Sequence, residues 1–329
     1  MRLSRDPLVV AGLFGVLLLL MLAPLLRDSV RLQDWIETLV GGLLTGVLYS
    51  LVALGFVLIF KASGVFNFAQ GAMVLFAALS LARLGEIMPL WLAFIAAMII
   101  MIALAFAIER IVLRPLVNQD GIILFMATLG VAFFLDGFGQ TLWGSDIYTI
   151  DLGLPQDPWF ILSSIFEGGV LLPPLDVVAA LVAGALVAVL ALFFQKTSTG
   201  RALRAVADDH QAAQSIGIPL NRIWIIVWAV SGIVALVAGT MWGAKLGVQF
   251  SLQQIALKAL PVLILGGFTS VPGAIIGGLI IGAGEKLAEV YLGSLVGGGI
   301  ENWFAYVLAL GFLVLRPQGL FGERIIERV

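Results

Sequence analysis

Few side chains in this sequence could do chemistry, and most of them sit where polar groups are costly. There is no cysteine and only one histidine, His210, so neither a thiolate nor a multi-histidine metal site can be built. No GxxxxGK[ST] phosphate-binding loop occurs. What remains are isolated polar residues within apolar stretches. Asn67 and Gln70 flank Phe68 in a glycine-punctuated run ending at Gly71. An interrupted helix there would expose groups able to bind a carboxylate or ammonium near the middle of a bilayer. The plainer reading is hydrogen bonding between helices, worth about 1 kcal/mol per contact. Asp136 lies deep in an apolar segment and needs a partner or a water-lined cavity. Glu285 and Glu289 share a helix face near the outer end of theirs, which reads as a solvated edge or one facing an external protein. These residue types point to binding and passage of a solute, with no covalent chemistry.

The elements that must hold these residues are membrane helices. Of the 329 residues, 61% are hydrophobic and 12% charged, about half the charge of a soluble domain; mean hydropathy is +1.11. The net charge of −2 suggests neither nucleic acid nor an acidic substrate. The expected fold is all-α and polytopic, a single transmembrane domain over residues 1–329. Ten apolar segments stand out: 7–26, 36–60, 64–82, 89–108, 121–142, 175–194, 223–243, 255–268, 272–292 and 302–315. The two at 255–268 and 302–315 are short enough to be broken or re-entrant, so eight to ten spans are expected. The first, preceded by Arg2 and Arg5, is long for a signal core and lacks a small-x-small cleavage site, so it reads as a retained span. Seven glycines between 258 and 289, with GxxxG pairs at Gly273/Gly277 and Gly278/Gly282, suit close helix packing within the chain or across a dimer seam.

Charge sets the orientation. With the N-terminus cytoplasmic, Arg2, Arg5, Lys61, Arg110, Arg114, Lys196, Arg201, Arg204, Arg222, Arg316, Arg324 and Arg328 fall inside. Only Arg27, Arg31, Arg83 and Lys245 fall outside, a strong positive-inside bias that also places the C-terminus in the cytoplasm. Residues 143–174, with four prolines and Trp143 and Trp159, read as an irregular extracytoplasmic cap with interfacial aromatic anchors.

One polar island, Gln195–Arg222, then lies in the cytoplasm. Gly200 and Gly217 punctuate two short predicted helices and Pro219 stops them. Ala202, Leu203, Val206, Ala207 and Ala213 supply small apolar positions, while Arg201, Arg204, Asp208, Asp209 and Gln211 supply charge. A short helix with a small-residue face can sit in a groove of a soluble partner, its charges setting register. The plainer reading is a solvated connecting helix, and His210 within it reads as a surface residue.

The island resembles the coupling loop of permeases in ATP-binding-cassette importers of the branched-chain amino acid class. The carrying residues are Gly200, Arg201 and Ala202, then Asp208 and Asp209, then Ala212 and Ala213, then Gly217 and Ile218. Further matches are Gly46–Met73 with its Asn67–Gly71 run, Glu109–Leu116, Thr128–Gly144 and Leu315–Gly322. The family commonly has His where this chain has Gln70, which keeps a hydrogen-bonding group and removes a titratable one. The resemblance implies alternating access driven by two cytoplasmic ATPase subunits, with a second related permease, as a heterodimer, and an extracytoplasmic solute-binding protein. It implies a multi-pass protein of the bacterial inner membrane, with no cofactor on this chain because ATP is bound by the partner subunits. Gly200, Arg201, Ala202, Arg204, Asp208, Asp209, Ala212, Ala213 and Gly217 would couple to the ATPases. Asn67, Phe68, Gln70 and Gly71 are the candidate substrate pathway. Branched-chain amino acids, amides, urea and aromatic acids all remain open as substrates. Two other readings stand beside it: an ion-coupled secondary transporter using Asp136, and a channel or scaffold.

Overall fold

Helices form wherever the apolar runs leave the backbone no other partner, because at membrane depth each N–H and C=O must bond within its own segment. The computed structural model describes residues 15, 21–23, 30–116, 119–208 and 210–322, with backbone alone at 208 and 210–212. The first apolar segment, 7–26, lies almost wholly outside the described residues. Among the described residues, six helices are long and apolar enough to cross a membrane: α1 (Leu32–Ser63); α3 (Leu90–Ala107), continued by a π turn and a 3-10 turn to Leu116; α4 (Gly121–Trp143); α5 (Pro174–Lys196); α8 (Leu220–Leu246); and α10 (Val271–Val296). Shorter apolar helices are α2 (Gln70–Gly85), α9 (Ile255–Gly266) after a 3-10 turn from Phe250, and α11 (Phe304–Leu315). At 1.5 Å per residue α11 reaches about 18 Å, less than a hydrocarbon core of about 30 Å. Each apolar segment from residue 36 onward thus maps to a helix. The one at 64–82 starts late, since residues 64–69 are not helical and Gly64 has φ +67°.

The contacts group into two compact units. One holds residues 51–153 and 181–257. In it α2 packs on α3, α4 and α8, and α3 packs on α8. Leu54, Met73, Leu75, Leu79, Met101 and Trp228 are fully buried there. At the end of α3 the π turn Ile108–Leu113 carries Glu109, wholly buried and paired with Arg114 at 3.1 Å. Two further short helices, α6 (Ser198–Asp208) and α7 (His210–Ser215), precede α8.

The other unit holds residues 1–50, 154–180 and 258–329. Its packing is set by glycine. A methyl on Gly46 would collide with the Gly278 carbonyl, and one on Gly282 with the carbonyl of Gly42. A methyl on Gly42 would stand 2.8 Å from Ala283 Cα. Both GxxxG pairs therefore work inside the chain: Gly278/Gly282 against α1, and Gly273/Gly277 against Gly266 and Val262 of α9. Ser270 caps α10, accepting from Gly273 N at 3.0 Å, with Pro272 in the first turn. The Leu315–Gly322 motif closes α9: Leu320 N donates to Leu265 O at 2.7 Å and Phe321 N to Gly266 O at 3.1 Å. Within the expected irregular cap, Trp159–Ile161 (β1) and Val170–Leu172 (β2) form an antiparallel hairpin. Gln33 Nε2 donates to Gly169 O, and Leu171 N to a Glu37 carboxylate oxygen, tying it to the start of α1.

Gly282→Ala should cost about 1–3 kcal/mol by forcing α1 and α10 apart. Gly311→Ala in α11, where an added methyl meets nothing within 4 Å, should be neutral or slightly stabilising. Thermal unfolding of the detergent-solubilised protein measures both; equal midpoints would show that the close approach carries no weight.

Candidate functional site

The break between α1 and α2 is tied off by polar side chains. Asn67 and Gln70 are both 0% exposed. Asn67 Nδ2 donates to Gln70 Oε1 at 3.2 Å, and the single Ser231 hydroxyl proton on α8 is shared between the same oxygen at 3.2 Å and Gly55 O at 3.1 Å. Asn67 Oδ1 accepts from Ala69 N at 3.1 Å, turning the chain into α2. Phe68 N donates to Thr128 Oγ1 on α4 at 3.3 Å. The Phe68 ring lies 4.5 Å from that of Phe125 and 4.6 Å from that of Phe66, centroid to centroid. Gly71 lets α2 approach the turn before α9, since a methyl there would collide with Gln253 O and stand 2.8 Å from Ala256 Cβ. Three of the four pathway candidates are thus buried, Phe68 is half-buried, and Asn67 and Gln70 are joined to each other. In this conformation they lock helices together. One atom is left over: Gln70 Nε2 is buried against Gly55 without a hydrogen-bond partner.

The island forms the two short helices its sequence predicts, with a different use of its glycines and apolar residues. Thr197 caps α6, its Oγ1 accepting from Gly200 N at 2.9 Å. Gly200 is inside the first turn of α6 and buried, because a methyl there would strike the Phe193 and Phe194 carbonyls. Gly217, at φ +87°, does punctuate: it ends the island before Pro219 and α8. Leu203, Val206 and Ala213 are buried, so the apolar positions fasten the island to its own chain, α6 packing on α7 and α8. Arg204 also turns inward, donating to Phe194 O. Ala202 is half-buried, while Arg201, Gln214, Ser215, Ile216 and Gly217 are exposed, Ile216 to 74%. Asp209 and the side chains of Asp208 and Ala212 lie outside what the structure describes.

A third constellation sits in the other unit. Glu285 Oε1 accepts from Tyr49 OH and from Lys258 Nζ, each at 3.1 Å. The reading of Glu285 and Glu289 as one solvated edge is corrected here. Glu285 is buried and ion-paired, whereas Glu289 turns to the following loop and accepts from Gly299 N at 3.1 Å and Glu301 N at 2.9 Å.

A family model described as "Branched-chain amino acid transport system / permease component" matches residues 38–316. The chain belongs to this permease family. Similar relatives are the high-affinity branched-chain amino acid transport system permease protein BraD of Pseudomonas aeruginosa, 29% identical over 91% of this chain and 99% of its own length, and the LivH proteins of Salmonella typhimurium, 28% identical over 90% and 98%, and Escherichia coli, 27% over 90% and 98%.

Membership makes this permease a multi-pass membrane transport component and displaces the ion-coupled reading. Asp136 is half-buried, and one of its carboxylate oxygens is buried without a hydrogen-bond partner. Sequence reasoning missed Ser231, Thr128 and the Tyr49–Lys258–Glu285 cluster. Lys258 and Glu285 did carry a signal, as opposite charges inside apolar segments; Ser231 and Thr128 carried none, being common in membrane helices.

Gln70→Leu in this permease should cost about 1–3 kcal/mol, because Asn67 Nδ2 and Ser231 Oγ lose their shared acceptor. Asn67→Ala combined with Gln70→Leu should cost less than the sum of the two by at least about 0.5 kcal/mol. Denaturation in detergent measures the cycle; strict additivity would show that the two side chains do not act as a unit.

Proposed function

We propose that this chain is the membrane permease of an ATP-binding-cassette importer for branched-chain amino acids. It carries no covalent chemistry and no cofactor, and ATP is bound and hydrolysed by two cytoplasmic partner subunits. A related second permease completes a heterodimer in the bacterial inner membrane, and an extracytoplasmic binding protein delivers the solute. Both termini are cytoplasmic, as the positive-inside bias supports. The observation that carries the reading is the island at Gln195–Arg222. It is a polar, two-helix surface fastened to the membrane body by Leu203, Val206 and Ala213, with Arg201 and Ile216 facing outward. Closure of the ATPases pushes on that surface, and its packing on α8 passes the push into the helix bundle.

The coupling set is Gly200, Arg201, Ala202, Arg204, Asp208, Asp209, Ala212, Ala213 and Gly217. The inward members hold the island in shape, and the outward ones meet the ATPase. Asn67, Phe68, Gln70 and Gly71 belong to the solute path in the sense that α2 begins there. Movement of α2 against α8 opens the Asn67–Gln70–Ser231 bonds and frees their polar groups for a passing solute.

The test is ATP-dependent uptake of labelled leucine into proteoliposomes holding both permeases, the ATPases and the binding protein. Arg201→Glu with Ile216→Asp should lower uptake about tenfold or more while the permeases still assemble. Uptake that ignores both ATP and these changes would overturn the reading. Uptake lost for leucine but driven by ATP for another solute would reject only the substrate.

A further inference from the structure

We infer that Lys258 and Glu285 form a subsite inside the membrane for the zwitterionic head of the translocated amino acid. The two belong to one unit, and Glu285 stands 14 residues from Val271 and 11 from Val296, the ends of α10. At 1.5 Å per residue that is about 16 Å or more from either end, the depth of the bilayer centre. Tyr49, its other partner, is similarly placed in α1, 17 residues from Leu32 and 14 from Ser63. Ionisable groups at such depth are rare and costly unless they face a path.

The geometry leaves each charge with capacity to spare. Glu285 spends one oxygen on both Tyr49 and Lys258, while Oε2 is buried with no hydrogen-bond partner in a side chain that is only 7% exposed. A structural ion pair would have its second oxygen satisfied as well. Lys258 uses one ammonium proton on Glu285 and is 31% exposed, so it has donors to offer. The pair therefore holds a cation beside an unsatisfied anionic oxygen that is covered in this conformation and opens to a solute only when the helices around it part. A molecule carrying a carboxylate next to an ammonium matches both, its carboxylate on Lys258 Nζ and its ammonium on Glu285 Oε2.

Charge balance gives the site its selectivity. The pair is neutral as a unit, and a zwitterion adds no net charge to it. A carboxylate alone or an amine alone brings one uncompensated charge into a medium of low dielectric. An uncharged solute leaves Glu285 Oε2 without an ionic partner. The subsite thus reads the head group common to all α-amino acids and says nothing of the side chain.

The inference rests on the reading of this chain as an amino-acid permease, and the test separates the two. The assembled transporter, with both permeases and the ATPases but no binding protein, is titrated with three ligands followed by saturation-transfer NMR. They are leucine, 4-methylpentanoate, which lacks the ammonium, and 3-methylbutylamine, which lacks the carboxylate. The wild type should hold leucine at least about fivefold tighter than either analogue. Lys258→Met should weaken leucine and 4-methylpentanoate about fivefold or more and hold the amine as tightly or more so, and Glu285→Gln should weaken leucine and the amine and hold the acid as tightly or more so. A purely structural defect would weaken all three together. The exchange Lys258→Glu with Glu285→Lys keeps the pair neutral and should keep leucine ahead of both analogues, which decides the matter if a single change prevents assembly. Three ligands bound alike by the wild type, or variants that leave the ranking unchanged, overturn the subsite. A wild-type assembly that imports no amino acid on ATP once the binding protein is added overturns the permease reading instead.

Discussion

In a bilayer no water is at hand, so every polar group at membrane depth must find its partner within protein or line a path. That constraint organises most of this chain. It turns each apolar run into a helix. It sends Ser50 Oγ to the Gly46 and Ala274 carbonyls. It gathers Asn67, Gln70, Ser231 and the Gly55 carbonyl into one group. It buries Glu109 only because Arg114 can reach back to it. Where the constraint is met, helices are fastened; Gln70 Nε2 and Glu285 Oε2 are buried without a hydrogen-bond partner.

Close packing follows from the same setting. Between helices in lipid the hydrophobic effect gives little preference for contact, and association relies on van der Waals fit. The glycines of α1 and α10 let two backbones meet without side chains between them, and those of α10 and α9 do the same. The island uses another device. It is fastened by ordinary apolar burial at Leu203, Val206 and Ala213, with Arg204 held on the end of α5. This seating is what the proposed coupling role requires of the island.

Much of this was legible in the sequence. The apolar runs gave the helices closely, since length and composition are what a bilayer selects. The break at Asn67 and the two helices of the island were also visible, signalled by glycine, proline and the sudden rise in charge. The direction in which side chains point was not. The small apolar pattern of Leu203, Val206 and Ala213 suits an outward docking face, yet these residues are buried; Gly200 has the look of punctuation but serves a close approach. Periodicity says that residues share a face, but not which body covers it. Glu285 illustrates a second limit. Its nearness to Glu289 suggested a solvated edge, and only the fold brings Lys258, 27 positions earlier, and Tyr49, 236 earlier, to its carboxylate.

The proposed transport cycle depends most on the island being the surface through which an ATPase drives the membrane helices. Because the chain has no cysteine, Ile216→Cys gives it a unique thiol at an apolar position of the island that is 74% exposed. The decisive measurement is its cross-linking, in inverted membrane vesicles, to cysteines placed on the partner ATPase. The account predicts a permease–ATPase cross-link whose yield changes when ATP is bound, and none from a thiol at buried Val206. An Ile216→Cys thiol that reacts only from the extracytoplasmic side, or that never cross-links to the ATPase, would contradict it.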